Sequence, residues 1–93
     1  MIPRDYAFAR KESEVFLDIN LQLYSVLREY LPEGSRGLAV LHLAEGTTLA
    51  QLLESLGIKR KVVISVNDIH ETDYSRILED GDYVKIFSSI SGG

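Results

Sequence analysis

The chain has no cysteine, and none of its apolar stretches is long enough to cross a bilayer. Without cysteine there can be no disulfide framework, no thiolate metal site and no cysteine nucleophile, so nothing indicates an oxidising compartment. Residues 1–5 also lack the apolar core of a secretion signal. We therefore expect a cytoplasmic protein without a membrane partner.

Positive charge is also scarce, because ten Lys and Arg residues stand against 14 Asp and Glu residues, for a net charge of −4. The densest basic run, Lys59-Arg60-Lys61, is short and has the character of a solvated turn. Nothing in the sequence concentrates enough positive charge to neutralise a phosphate track. We expect no nucleic-acid partner, and a basic protein surface is the better complement.

Side chains that could carry chemistry are dispersed. His42 and His70 are far apart in sequence, and neither has a second ligand at a metal-like spacing, so no metal site is expected. The acidic residues of 79–82, Asp82 included, fall in a turn and are expected to be solvated. The serines of residues 88–91 have no evident base to activate them. The sequence does not predict catalysis by this chain alone.

Hydrophobic spacing predicts one small domain of mixed structure. Alternation with period two predicts strands, and Leu spacing of three and four residues ending at Gly57 predicts the main helix. Thr47 or Thr48 can cap that helix at its start. The predicted order is a strand at 15–24, a helical turn at 26–31, a strand at 38–43, the helix at 49–56, and strands at 62–66, 69–71 and 83–87.

A single helix can cover only one face of a sheet, so the other face is expected to remain open. The first and last strands both have apolar inner faces, which predicts that they lie side by side in the centre of the sheet. The fold class is therefore α+β, with a domain at residues 15–87, an N-terminal extension at 1–14 and a flexible tail at 88–93.

The sequence ends in Ser91-Gly92-Gly93, a few residues after the last predicted strand. Glycine lacks a β-carbon, so this end can enter a channel too narrow for other residues and present a terminal carboxylate. An extended run from residue 88 to residue 93 reaches roughly 20 Å. The pattern indicates delivery of a carboxylate to a partner's active site, and an incidental frayed end or cloning remnant is the alternative.

Exposed aromatic residues are predicted beside this tail. If Val84 and Ile86 face inward, Phe87 and Lys85 face outward, and Tyr24 has the same outward parity in the first strand. Parallel pairing of the two strands would place the two aromatic rings at one edge of the open face. Such a patch is typical of a docking surface, although isolated surface aromatics are also common.

Four short motifs in a fixed order give the most specific signal. They are Leu27-Arg28-Glu29-Tyr30-Leu31, Leu43-Ala44-Glu45-Gly46-Thr47-Thr48, Val66-Asn67 and Asp80-Gly81-Asp82-Tyr83-Val84, followed by the terminal Gly-Gly. Together they resemble the MoaD/ThiS family of sulfur-carrier proteins over about residues 17–93. The resemblance implies a ubiquitin-like β-grasp fold, with a mixed sheet of four to five strands and one main helix across one face.

The resemblance also implies a role for the C-terminus. Gly93 would be adenylated by an ATP-dependent, ubiquitin-activating-like adenylyltransferase and converted to a thiocarboxylate that donates sulfur, with no cofactor bound by the carrier itself. In the molybdopterin-synthase branch the tail enters the large subunit, and aromatic residues of the open face form the contact. Tyr24 and Phe87 stand at those positions, with Lys85 and His70 as further partner-binding candidates.

The Leu-Arg-Glu segment favours the molybdopterin or tungstopterin branch over thiamine-type carriers. Two features depart from the family pattern: Ser88-Ser89 replaces a proline pair, and His70 stands where an apolar contact residue can occur. The same terminus would also suit a protein modifier that forms isopeptide bonds with lysines. A third alternative is a β-grasp binding module whose final glycines are incidental.

Overall fold

A computed structural model describes residues 16–89 of the chain. Its elements are β1 (Phe16–Leu23), a 3₁₀ helix (Ser25–Tyr30), β2 (Leu38–Ala44), α1 (Leu49–Leu56), β3 (Val62–Val66), β4 (Ile69–Glu71) and β5 (Tyr83–Ser88). The order agrees with the sequence-based prediction. The predicted extension at residues 1–14 and residues 90–93 lie outside the described part. No helix within residues 16–89 is long and apolar enough to cross a membrane.

The five strands form one mixed sheet in the order β2-β1-β5-β3-β4. β1 pairs parallel with β5, whereas the β1–β2, β3–β5 and β3–β4 pairs are antiparallel. The first and last strands therefore lie side by side near the middle of the sheet, as predicted. This arrangement confirms the α+β, β-grasp fold class.

The core lies between α1 and one face of the sheet. Alternate residues of β1 are 0–5% exposed. Ile64 and Val66 of β3, and Val84 and Ile86 of β5, are 0–1% exposed. α1 contributes a leucine stripe, and the same core includes Leu27 of the 3₁₀ helix. The most deeply buried side chains, at 2% exposure or less, are Ile19, Leu21, Leu23, Leu27, Leu49, Leu52, Ile64, Val66, Leu78, Val84 and Ile86. Burial of these side chains is the main stabilising contribution to the fold.

Both ends of α1 carry local signals that define its length. Thr48 Oγ1 accepts a hydrogen bond from the Gln51 amide at 3.2 Å, and Gln51 Oε1 accepts one from the Thr48 amide at 2.9 Å. Gly57 ends the helix in the left-handed region at φ 79°. This reciprocal capping box and glycine stop explain how an eight-residue helix is kept in place.

The capping box predicts a measurable stability effect. Thr48→Ala removes the acceptor for the Gln51 amide and lowers the free energy of unfolding by about 1 kcal/mol. Urea denaturation followed by circular dichroism measures the change. Thr72→Ala, at an exposed position outside the helix, serves as the control and should change stability by less than about 0.5 kcal/mol. Equal losses in the two variants would contradict the capping role.

Asp82 corrects one expectation from the sequence. It is only 4% exposed, so the prediction that the acidic residues of this turn are all solvated was wrong. Asp82 Oδ1 accepts from Asn67 Nδ2 at 2.9 Å, and Oδ2 accepts from the Glu79 amide at 2.8 Å. Arg76 lies 3.7 Å from Oδ2. The burial is tolerated because several donors face both carboxylate oxygens.

Asn67 extends this network to the start of β5. Its backbone amide donates to the Tyr83 carbonyl at 2.8 Å, and its side-chain oxygen accepts from the Tyr83 amide at 2.9 Å. Asn67 and Asp68 both adopt positive φ values, 54° and 67°, in the tight turn between β3 and β4. The turn and the entry to β5 are therefore held together by one pair of side chains, Asn67 and Asp82.

Candidate functional site

The parallel pairing of β1 and β5 brings two aromatic rings together on the open face. Leu23 is opposite Ile86 in the register, and Tyr24 continues the extended path of β1 with φ −113° and ψ 151°. The Tyr24 amide donates to the Ile86 carbonyl at 3.2 Å. The Tyr24 and Phe87 rings stack, with centroids 4.3 Å apart and an interplanar angle of 11°. Their predicted proximity is confirmed.

Val63 adds an aliphatic side chain to this pair. It lies opposite Phe87 in the β3–β5 register and is 41% exposed, while Phe87 is 36% exposed. We call Tyr24, Val63 and Phe87 the aromatic cluster. The cluster lies at the end of β5 from which the chain continues into residues 88–93. An apolar patch of this kind is typical of a surface that contacts another protein.

Sequence reasoning did not identify Val63. The signal was available, because the buried neighbours Ile64 and Val66 set the parity of β3, and Val63 follows on the opposite face. What the sequence does not contain is the register that places Val63 against Phe87. That register is set by the pairing of β3 with β5, which are separated by β4 and a long loop.

Lys85 and His70 lie in the next row across the sheet. The register aligns Lys85 with Ser65, and Ser65 with His70. Lys85 Nζ donates to Asp68 Oδ1 at 2.7 Å, and this hydrogen bond raises the pKa of Lys85. The same ammonium lies 5.3 Å from the centroid of the Tyr83 ring. The aromatic cluster is therefore bordered by one fixed cation and one exposed imidazole.

The predicted tail residues Ser91, Gly92 and Gly93 lie outside the described residues. What can be described is the start of this segment. β5 extends through Ser88, one residue beyond the predicted strand end, and the Ser89 amide donates to the Lys61 carbonyl at 3.3 Å. The chain is thus held against β3 until it leaves the end of the sheet beside the aromatic cluster.

The opposite end of the open face carries a separate group of side chains. His42 Nδ1 lies 2.7 Å from Asp18 Oδ1, and the His42 ring stacks on Phe16 with centroids 5.1 Å apart. The structure does not bring His42 and His70 together. Among residues 16–89, no group of three or more His, Asp or Glu side chains could hold a metal ion.

Comparison with known proteins identifies the family. The sequence model of the ThiS family matches residues 21–93, which include the four short motifs and the terminal glycines. The chain belongs to the ThiS family. ThiS-family proteins are sulfur-carrier or ubiquitin-like proteins, and they are activated by ubiquitin-activating-like adenylyltransferases.

A solved structure supports the fold of this ThiS-family protein. The solution structure of the HVO 2177 protein from Haloferax volcanii aligns over 100% of both chains, with a TM-score of 0.69 and 19% sequence identity. At that identity the likeness concerns the fold alone. No curated protein matches the chain significantly.

Membership of the ThiS family indicates which chemistry is relevant, namely activation of a terminal carboxylate. A terminal carboxylate is a poor electrophile until a phosphoryl-containing leaving group is attached to it, and the activating enzyme of the family provides that step. Within residues 16–89, the sheet presents an exposed apolar surface, the aromatic cluster, beside the last residues of β5.

Proposed function

We propose that the protein is a sulfur carrier whose C-terminal Gly93 is converted to a thiocarboxylate, and that it donates this sulfur in the biosynthesis of a molybdopterin or tungstopterin cofactor. The observation that carries the proposal is the match of the ThiS family model to residues 21–93, together with the aromatic cluster beside the end of β5. The protein acts as a small subunit and substrate. The catalytic groups belong to its partners.

Activation begins with adenylation of Gly93 and continues with sulfur transfer. The Gly93 carboxylate attacks the α-phosphorus of ATP on the activating enzyme, which forms an acyl adenylate and releases pyrophosphate. A sulfur nucleophile then attacks the acyl carbon, and AMP leaves with the electrons of the broken C–O bond. If the nucleophile is hydrosulfide, loss of AMP gives the thiocarboxylate directly. If it is the persulfide of a donor, an acyl disulfide forms first; a thiol then attacks the donor's own sulfur, forms a disulfide with it and releases the thiocarboxylate at Gly93. Because the carbonyl carbon carries the sulfur, no cysteine is needed in the carrier.

The aromatic cluster is proposed to dock against the large subunit of a molybdopterin synthase. Tyr24 and Phe87 form one continuous apolar surface because their rings stack almost in parallel. Docking at this surface would hold the first residue of the tail at a fixed position on the partner, so that residues 88–93 extend into the partner's active site. Lys85 and His70 border the contact and would set its orientation.

Reconstitution with a large subunit tests the pathway. The full chain, loaded by its activating enzyme, is mixed with the large subunit and the pterin precursor, and dithiolene formation is measured by fluorescence of the oxidised product. The chain should support product formation, and deletion of Gly93 should abolish it while leaving the circular dichroism spectrum unchanged. Deletion of residues 1–14 provides a control at the other terminus and should retain activity.

Two results would contradict the proposal. Undiminished product formation by the Gly93 deletion would show that the terminal glycine is incidental. A loaded full chain that forms lysine conjugates in cell lysate, but no dithiolene with the large subunit, would favour the protein-modifier function.

A further inference from the structure

β2 is an edge strand of the sheet formed by residues 16–89. Within residues 16–89 it pairs with β1 on one side and has no strand on the other. Its sequence, Leu38–Ala44, contains no Lys, Arg, Asp, Glu or Pro. Two of its side chains on the open face of the sheet are apolar and exposed, Leu38 at 49% and Val40 at 68%. Edge strands of this length are normally protected by charge, proline or a bulge, and β2 has none of these.

The other edge of the sheet differs. β4 has only three residues, and they include His70 and Glu71. A short strand with polar side chains is the usual protection against edge pairing. The contrast makes β2 the edge that is suited to accept another strand.

β2 is complementary to itself across a twofold axis at Leu41. Antiparallel pairing of two copies places Val40 opposite His42 and Leu38 opposite Ala44 on the open face. On the helix side it places Leu41 opposite Leu41, where this half-buried residue already packs against the core. No like charges face each other in this register, and the outward backbone groups of Val40 and His42 gain partners. At the ends of the strand, the Leu38 amide already donates to the Ser35 carbonyl at 3.1 Å and the Ala44 carbonyl already accepts from the Thr47 amide at 3.2 Å.

Charges that flank the strand favour the same register. Arg36 precedes β2 and Glu45 follows it, and both are exposed. Antiparallel pairing about Leu41 brings Arg36 of one copy close to Glu45 of the other, and the twofold axis repeats this contact. The pairing therefore has opposite charges at both ends and no Lys, Arg, Asp or Glu between them.

We propose that the protein forms a homodimer through antiparallel pairing of the two β2 edges, which joins both sheets into one. The interface is isologous, with Leu41 on the axis. The aromatic cluster lies on the other strands of each sheet, so each copy keeps its surface for an activating enzyme or a large subunit. The dimer presents two such surfaces. This inference does not depend on the proposed sulfur chemistry.

Sedimentation equilibrium of the full chain over a range of concentrations tests the dimer. The full chain should dimerise, and Val40→Lys should raise the dimer dissociation constant by about tenfold or more because it introduces charge into the paired edge. Ile69→Lys is the matched control, since Ile69 is 70% exposed on the β4 edge. This control should leave the dissociation constant unchanged. A chain that stays monomeric up to about 1 mM, or a dimer that is equally sensitive to both variants, would overturn the proposal.

A charge swap tests the register. Arg36→Glu or Glu45→Arg alone should raise the dissociation constant by about fivefold, because each weakens two symmetry-related ion pairs. The double variant should restore the original value to within about twofold. Failure of the double variant to recover would contradict antiparallel pairing about Leu41. If the full chain is monomeric and dimerises only after deletion of residues 1–15, then the N-terminal segment occupies the β2 edge in the full chain. That result would overturn the proposal.

Discussion

Phe87→Ala weakens binding to the large subunit by roughly 2 kcal/mol, or about thirtyfold in the dissociation constant, if the aromatic cluster is the docking surface. The change removes one of two stacked rings and leaves Tyr24 without its partner across the 4.3 Å centroid separation. Interface energy is commonly concentrated in such central aromatic residues. Isothermal titration calorimetry with the large subunit measures the loss.

Tyr83→Ala is the matched control for this variant. Tyr83 and Phe87 lie on the same strand and the same face, and each is 36% exposed. Tyr83 is further from the tail, and its hydroxyl donates to Gln22 Oε1 at 3.1 Å. We expect Tyr83→Ala to change the dissociation constant by less than about threefold. Equal losses in both variants would show that the contact is not centred on the aromatic cluster.

The Phe87 prediction also requires a stability measurement. Because Phe87 faces the open side, Phe87→Ala should lower the free energy of unfolding by no more than about 1 kcal/mol. A loss of several kcal/mol would mean that the ring supports the fold, and the binding defect would then have a structural cause.

Asp82→Ala has the largest expected effect on stability, a loss of about 3 kcal/mol in the free energy of unfolding. The substitution removes both acceptors from a buried site and leaves the Glu79 amide and the Asn67 side-chain amide without their partner. It also weakens the attachment of the β3–β4 turn to the first residue of β5. Chemical denaturation of the purified variant measures the loss.

Asp80→Ala tests whether the burial of Asp82 is responsible for the expected loss of stability. Asp80 lies in the same turn and also accepts one backbone hydrogen bond, from the Asp18 amide at 2.8 Å, but it is exposed. Its replacement should cost at most about 1 kcal/mol, since water can satisfy the released amide. Similar losses at the two positions would contradict the structural role assigned to the buried network.

The sequence predicted the elements and the open face because both depend on local periodicity. Alternation in β1 and β5 identified the inward residues. Outward parity, combined with parallel pairing of the two strands, predicted that Tyr24 and Phe87 meet. The structure confirms the pairing through the register of Leu23 with Ile86.

The burial of Asp82 could not be predicted from local pattern. A sequence of Asp-Gly-Asp has the composition of a solvated turn, and the partner that decides otherwise, Asn67, is 15 residues away. The motifs that resemble the MoaD/ThiS family contain both residues. Their physical link, a side-chain hydrogen bond between two turns, becomes visible only when β3 and β5 are paired.

The exposure of β2 depends in the same way on the complete sheet. Alternation predicted that Ala39, Leu41 and Leu43 share the inner face, and they are half-buried as that prediction requires. Whether a strand lies at an edge or in the centre is set by sheet order, which period-two spacing does not contain. The absence of Lys, Arg, Asp, Glu and Pro from β2 therefore acquires significance only from the topology.

The most direct test of the central claim is the intact mass of the full chain after incubation with its activating enzyme, ATP and a sulfur source. The account predicts a mass shift that corresponds to replacement of one oxygen by sulfur at Gly93, and no shift in the Gly93 deletion. An unchanged mass, with an enzyme shown to be active on another carrier, would contradict the thiocarboxylate at Gly93.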